Sequence, residues 1–247
     1  MSSVAPEPLQ RNGTSVPAWD LPTRVFHWTL LALVLSAWIS YEFAEHIGDE
    51  SLIWHRANGL AILTLVVWRL IWGLVGSSTA RFGSFVRTPG AVVRYAKGLL
   101  TGSGLTYLGH NPLGALMVLA LLAALAVMGT LGLFATADND LVGGPLYRLV
   151  SEAGNRRATH LHSFVFNLVL LPLVALHVAA ALLYTLGKKE PLIQAMVSGK
   201  KPAASYTDAA GAVIVERPLL RALVCLVIAA AIVLGGILAL GGSLVLR

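Results

Sequence analysis

Apolar residues in this chain gather into five long, nearly unbroken runs, at about 25–44, 52–75, 112–136, 161–186 and 219–246. Each is near or above the roughly 20 residues that a helix needs to cross a bilayer. No β-type alternation competes with them, so each run predicts a transmembrane helix, and the short polar connections predict neighbours that alternate in direction. The chain therefore reads as an all-α membrane protein: a four-helix transmembrane bundle plus a fifth C-terminal transmembrane helix. Residues 1–20 form a polar tail with Pro6 and Pro17, residues 21–202 the four-helix domain, and residues 203–247 a linker and the fifth helix. No small-residue cleavage site follows the first run, which reads as an uncleaved anchor. Between the second and third runs, residues 89–100 (PGAVVRYAKGLL) set Arg94 and Lys97 among apolar neighbours, the pattern of a helix lying in the membrane interface.

Composition agrees with the pattern. The 247 residues are 56% hydrophobic and 12% charged, with mean hydropathy +0.74, far from a soluble average. A net charge of +6 and a pI near 9.8 invite a nucleic-acid reading. The basic residues lie in short loops between apolar runs, however, where they act as topology signals and contacts for anionic lipid, so nucleic acid is excluded as a partner. Arg81, Arg87, Arg94 and Lys97 occupy the second connection without an acidic residue, whereas Glu42, Glu45, Asp49 and Glu50 occupy the first without a basic one. The positive-inside rule then places the N-terminus in the cytoplasm. With Lys188, Lys189, Lys200 and Lys201 on that same side, five spans leave the C-terminus outside. Cys225 is the sole cysteine, which removes disulfide frameworks, iron–sulfur ligand sets and covalent C-x-x-C-H haem attachment.

Histidines supply the candidate chemistry. Residues 159–184 (THLHSFVFNLVLLPLVALHVAAALLY) are apolar enough to span a bilayer yet carry His160, His162 and His177, and ionisable groups at that depth are rare without a role. On an α-helix His162 and His177 lie roughly 60° apart in azimuth and roughly 22 Å apart along the axis, with Pro172 between them able to kink the helix. Two rings so far apart cannot share a metal, so each needs a partner from another helix. Under alternating topology His55 shares the outer side with His162, and His27 shares the inner side with His177. The outer pair agrees in depth. The inner pair agrees less well, since His27 is close to Arg24 whereas His177 is far from Lys188, so either the first helix begins nearer Trp19 or the group held by the inner pair is tilted. Two opposed imidazole couples across a four-helix bundle suit two non-covalent b-type haems, His27/His177 on the inner iron and His55/His162 on the outer. Arg24, Arg56, Arg156 and Arg157 lie where haem propionates would need cations.

The remaining polar residues have plainer readings. His160 and His46 read as solvated loop residues, and His110 with Asn111 and Pro112 as a cap for the third helix, the alternative for His110 being a propionate or quinone contact. Arg69 and Trp72 read as a snorkelling anchor and an aromatic-belt residue.

Several of these stretches also carry a family resemblance: WDLPTRVFHW (19–28), IWHRANG (53–59), WRLIWGLVGS (68–77), YLGHNPLGALM (107–117), HSFVFNLVLLPLVALHVAAALLY (162–184) and KKEPLIQAMVSGKK (188–201). In order and spacing the chain resembles the bacterial cytochrome b561 and nickel-hydrogenase b-type cytochrome family over about three quarters of its length. The resemblance implies the same pairing, His27 with His177 and His55 with His162. Two departures stand out. Ser163 occupies a position commonly acidic in the family, and the two fourth-helix histidines stand one residue further apart than usual, which Pro172 is expected to absorb. The fifth run lies outside the resemblance, and its Gly235, Gly236, Gly241 and Gly242 would suit close packing against a partner or a second copy.

The function expected is a dihaem cytochrome carrying electrons between a periplasmic redox protein (a hydrogenase, a dehydrogenase or a c-type cytochrome) and the quinone pool, in a lipid environment. As an electron-transfer subunit it would leave catalysis to another chain. One alternative is a self-contained oxidoreductase passing electrons from superoxide or another small molecule to quinone. A remote one is a transporter using the four histidines as a proton or metal path. No Rossmann fingerprint, flavin site or catalytic nucleophile arrangement competes.

Overall fold

The computed structural model describes residues 15–47, 50–102, 105–136 and 143–245. Residues 1–14 of the tail, Asp49 of the acidic connection, residues 137–142 of the third connection and the end of the fifth run at 246 lie outside the described residues. Among the described residues five helices are long and apolar enough to cross a membrane: Leu21–Glu42, Glu50–Val75, Pro112–Gly132, Glu152–Gly187 and Pro218–Ala239, here the first to fifth spans.

Local chemistry explains where the spans differ from the apolar runs. The first begins before residue 25 because the Asp20 carboxylate accepts from the Thr23 amide (2.8 Å), an N-cap that starts the helix beside Trp19. The fourth begins at Glu152, well before the apolar run. Ser151 caps it by accepting from the Gly154 amide, and Glu152 pairs with Arg156 one turn on. The third starts at Pro112 with the Asn111 side chain accepting from the Gly114 amide (2.8 Å), as the capping reading expects. The fifth ends at Ala239, short of the apolar run, and the next residues form its cap.

By contacts the chain divides into two compact units. One draws on residues 25–71, 119–177 and 223–247 and contains the middle of each of the five spans. Its core joins the first four: Ala37 from the first, Ile62 and Val66 from the second, Ala124 and Leu125 from the third and Leu170 from the fourth, all buried. A second cluster seats the fifth span, with Val233 and Ile237 against Leu146, Leu60, Leu63 and Val67. Large apolar side chains such as Trp54, Leu168 and Val227 point outward, as lipid rather than water permits.

The other unit draws on the described parts of residues 1–24, 72–118 and 178–222. Here a two-stranded antiparallel ribbon, absent from the apolar pattern, pairs Ser15–Pro17 with Lys200–Pro202. Gly199 precedes the second strand at φ +82°, and a Cβ there would stand 2.9 Å from the Trp19 carbonyl oxygen, so only glycine fits the junction. A helix is present at Pro89–Leu100, the stretch expected to lie in the interface. Its Tyr95 hydroxyl bonds the Tyr184 hydroxyl (3.0 Å). Trp72 departs from the belt reading: it is buried, and its indole N–H donates to the Thr23 hydroxyl (3.2 Å), while Arg69, of the first unit, is buried as well and departs from the anchor reading. A buried indole needs such a partner, which a lipid-facing one does not.

Candidate functional site

All four candidate histidines belong to the first unit described, and they meet in the expected couples. The His55 and His162 ring centroids are 6.1 Å apart with planes crossed at 77°, and those of His27 and His177 are 6.3 Å apart at 50°.

Main-chain groups of the other two helices orient the first couple. His55 Nδ1–H donates to the Ala37 carbonyl of the first span (2.8 Å), and His162 Nδ1–H donates to the Met128 carbonyl of the third (2.9 Å). A carbonyl can only accept, so each ring is protonated at Nδ1 and keeps its Nε2 lone pair for a metal. Four helices thus converge on one couple, two giving rings and two giving carbonyls. The Met128 carbonyl takes the orienting role left open by Ser163. Gly132, one turn beyond Met128, lets the ring approach: a Cβ there would lie 3.3 Å from His162 Cε1 and 3.4 Å from Nδ1.

The second couple has less behind it. His27 Nδ1 is buried without a hydrogen-bond partner among the described residues. His177 reaches its place through a π-helical turn at Phe166–Leu170, where the Leu171 amide donates to the Phe166 carbonyl. This corrects the expectation for Pro172. Proline lacks an N–H, and its ring would crowd the carbonyl four residues back, so the helix widens just ahead of it and the extra residue is taken up in that turn. The two histidines are then roughly 40° apart in azimuth instead of roughly 60°.

Two imidazoles on one metal, with bonds of roughly 2 Å and each nitrogen roughly 1.2 Å from its ring centre, have centroids roughly 6.4 Å apart. Both couples fall within a few tenths of an ångström of that spacing, so each could hold one metal-centred group between its rings. Near the outer couple Arg56, next to His55, donates from Nη2 to the Ser243 carbonyl, while its Nε is buried without a partner among the described residues. That is the donor a porphyrin carboxylate would meet.

A family model described as prokaryotic cytochrome b561 matches residues 18–199, the four spans that carry the couples and their carbonyls. The chain belongs to the prokaryotic cytochrome b561 family. This cytochrome b561 is accordingly a b-type cytochrome of transmembrane electron transfer that binds haem b, a multi-pass protein of the inner membrane. A search of curated proteins finds no match.

The remaining site candidates of the cytochrome b561 separate. Arg156 pairs with Glu152 and Arg157 is exposed, so neither is held toward the couples. His160 and His46 are exposed, as solvated residues would be. Arg24 and His110 belong to the other unit. Arg24 donates from Nη1 to the Val197 carbonyl and keeps a buried Nε without a partner among the described residues. The His110 ring packs against Trp19 and Phe85, with centroids 4.7 and 4.6 Å away, and lines a cavity of about 210 Å³ with Arg87, Ser84 and Asp208. The Asp208 carboxylate accepts from the Leu108 and Gly109 amides (2.6 and 3.0 Å), which fixes the loop before His110. Nearby, Lys201 is buried and donates to the Tyr107 carbonyl (2.8 Å). Burial pushes its ammonium below the usual lysine pKa, and the Glu190 and Asp208 carboxylates oppose that shift. Burial, with the Tyr184 hydrogen bond, pushes the Tyr95 phenol up. Sequence reasoning missed Ala37, Met128 and Ser243, which act through carbonyls that any residue carries. Gly132, a glycine inside a span, was the one available signal.

Proposed function

We propose that this cytochrome b561 holds two haem b groups, one between His55 and His162 and one between His27 and His177, and passes electrons between a periplasmic redox protein and the quinone pool. The observation that carries this reading is the pair of centroid spacings, 6.1 and 6.3 Å, at two positions along one helix that are roughly 21 Å apart. Bound haem supplies one-electron chemistry, its iron moving between ferric and ferrous. The chain's own residues orient and insulate it. Neutral imidazoles offer Nε2, the Ala37 and Met128 carbonyls hold two of the rings, and the apolar layer of Ile62, Val66, Leu125 and Leu170 keeps water from the space between couples. Arg56 and Arg24 each keep an Nε–H for a propionate. The basic connections set the His27 couple toward the cytoplasm. A quinone fits the mixed polar and apolar cavity beside Phe85 and His110. The periplasmic partner is a hydrogenase, a dehydrogenase or a c-type cytochrome, which leaves catalysis outside this chain.

Liposomes carrying the protein and enclosing ferricyanide test the crossing. An impermeant reductant added outside is expected to reduce the enclosed ferricyanide, and His162→Ala and His27→Ala are each expected to stop it. Equal rates in liposomes with and without the protein would reject the proposal.

A further inference from the structure

The fifth span lies beyond the matched residues, and neither couple draws a ligand from it. Its C-terminal end is nevertheless built with care. The Gly241 amide donates to the Leu238 carbonyl and the Gly242 amide to the Ile237 carbonyl, with Gly241 at φ +80°. This is the reversal that closes a helix through a left-handed glycine. It turns the chain back over the segment before the fourth span, where the Ser243 amide donates to the Pro145 carbonyl (3.1 Å). Gly242 is locked in: a Cβ would stand 2.5 Å from Leu146 Cδ2, 2.7 Å from Ile237 Cγ2 and 2.8 Å from the Pro145 carbonyl oxygen. The turn thereby presents the Ser243 carbonyl, which accepts from Arg56.

The second span explains why that carbonyl reaches Arg56. Arg56, Leu60, Leu63 and Val67 recur at helical spacing along one face, and the three apolar members pack in the cluster that seats the fifth span. His55, Asn58, Ile62 and Val66 form the adjacent face, whose Ile62 and Val66 lie in the four-helix core. One helix thus shows its ligand to the bundle and its arginine to the fifth span. A guanidinium has five N–H donors in a rigid plane, so a carbonyl bound at Nη2 fixes the direction of Nε–H, which is buried and has no hydrogen-bond partner among the described residues.

We infer that the fifth span is a positioning element of the outer haem site: its terminal turn, through the Ser243 carbonyl, aims Arg56 at a carboxylate of the porphyrin held by His55 and His162. The inference rests on the dihaem reading. Ser243 and Gly242 are positioning residues, and Arg56 makes the contact.

Redox titration of the full-length, haem-loaded protein tests it, with the outer haem defined as the one that His162→Ala removes. Arg56→Gln removes a cation beside that haem, so its midpoint potential is expected to fall while that of the inner haem stays unchanged. Gly242→Ala, which displaces the Ser243 carbonyl, is expected to shift the same potential the same way by a smaller amount, and to add nothing in the Arg56→Gln background. If Gly242→Ala does not fold, Gly241→Ala, strained only by its positive φ, makes the same comparison. An unchanged outer potential in the foldable glycine variant, or a full additional shift in the Arg56→Gln background, overturns the inference. Retention of both haems in His162→Ala overturns the dihaem reading itself, so the two failures are distinguishable.

Discussion

The two histidine couples have nearly the same ring spacing but differ in what stands behind the rings. His55 donates Nδ1–H to a carbonyl of the first span and His162 to one of the third, and the Ala37 carbonyl is further engaged by the Ser40 hydroxyl (3.1 Å). Ring direction and tautomer are settled there before any metal arrives. His27 has a buried Nδ1 and no such acceptor among the described residues, and His177 is carried past a π turn. The first couple is preorganised by hydrogen bonds, whereas among the described residues the second is brought together by where its helices lie. Orienting partners of this kind are worth about 10–100-fold in metal affinity, so the contrast has measurable consequences.

The largest expected effect breaks the preorganised couple from behind. Gly132→Val puts branched carbons where even a Cβ would meet the His162 ring at 3.3 Å, so the ring must leave its line to His55. This variant is expected to lose most of one haem and keep the other. Absorbance per chain near half the unmodified value, and loss of the same spectral component as in His162→Ala, would confirm it; full retention of both haems would mean that the close approach is unimportant.

A smaller effect sharpens the contrast without damaging either couple. When haem is titrated into haem-depleted protein, the first equivalent is expected to bind at His55/His162, about 10–100-fold tighter than the second. Titrating His27→Ala and His162→Ala separately assigns the steps. Tighter binding at His27/His177 would contradict the role given to the carbonyls.

The smallest effect lies at a helix end. The Asp20 carboxylate caps the span that carries His27, and Asp20→Ala is expected to cost about 1 kcal/mol, a fall in Tm of roughly 2–4 °C. Because the His27 couple relies on helix position alone, its haem should be released first on heating. Release of both haems together would show that the cap serves the bundle uniformly.

Much of this architecture was legible from residue types. The five spans follow from apolar run length, the helix at 89–100 from Arg94 and Lys97 among apolar neighbours, and the couples from their alternating sides, with matched depth only for the outer one. What stayed hidden shares one physical cause: it is carried by main chain. The Ala37, Met128 and Ser243 carbonyls leave no mark on side-chain identity. The ribbon of Ser15–Pro17 and Lys200–Pro202 is too short for an alternation to show. The π turn answers Pro172, whose presence was visible, but the widening falls on ordinary apolar residues ahead of it. The glycines of the fifth run divide: Gly235 and Gly236 have nothing of the described chain within 4 Å of a would-be Cβ, whereas Gly241 and Gly242 form the cap that holds Ser243. Arg156 looked like a propionate partner from its place in the chain, yet Glu152 one turn away engages it.

The haem-to-chain ratio of the protein purified in detergent, read from the pyridine haemochrome spectrum, tests the central claim most directly. The account predicts two haem b per chain, falling to one in His162→Ala and to one in His27→Ala, with different components lost. One haem in the unmodified protein, or two in either variant, would contradict it.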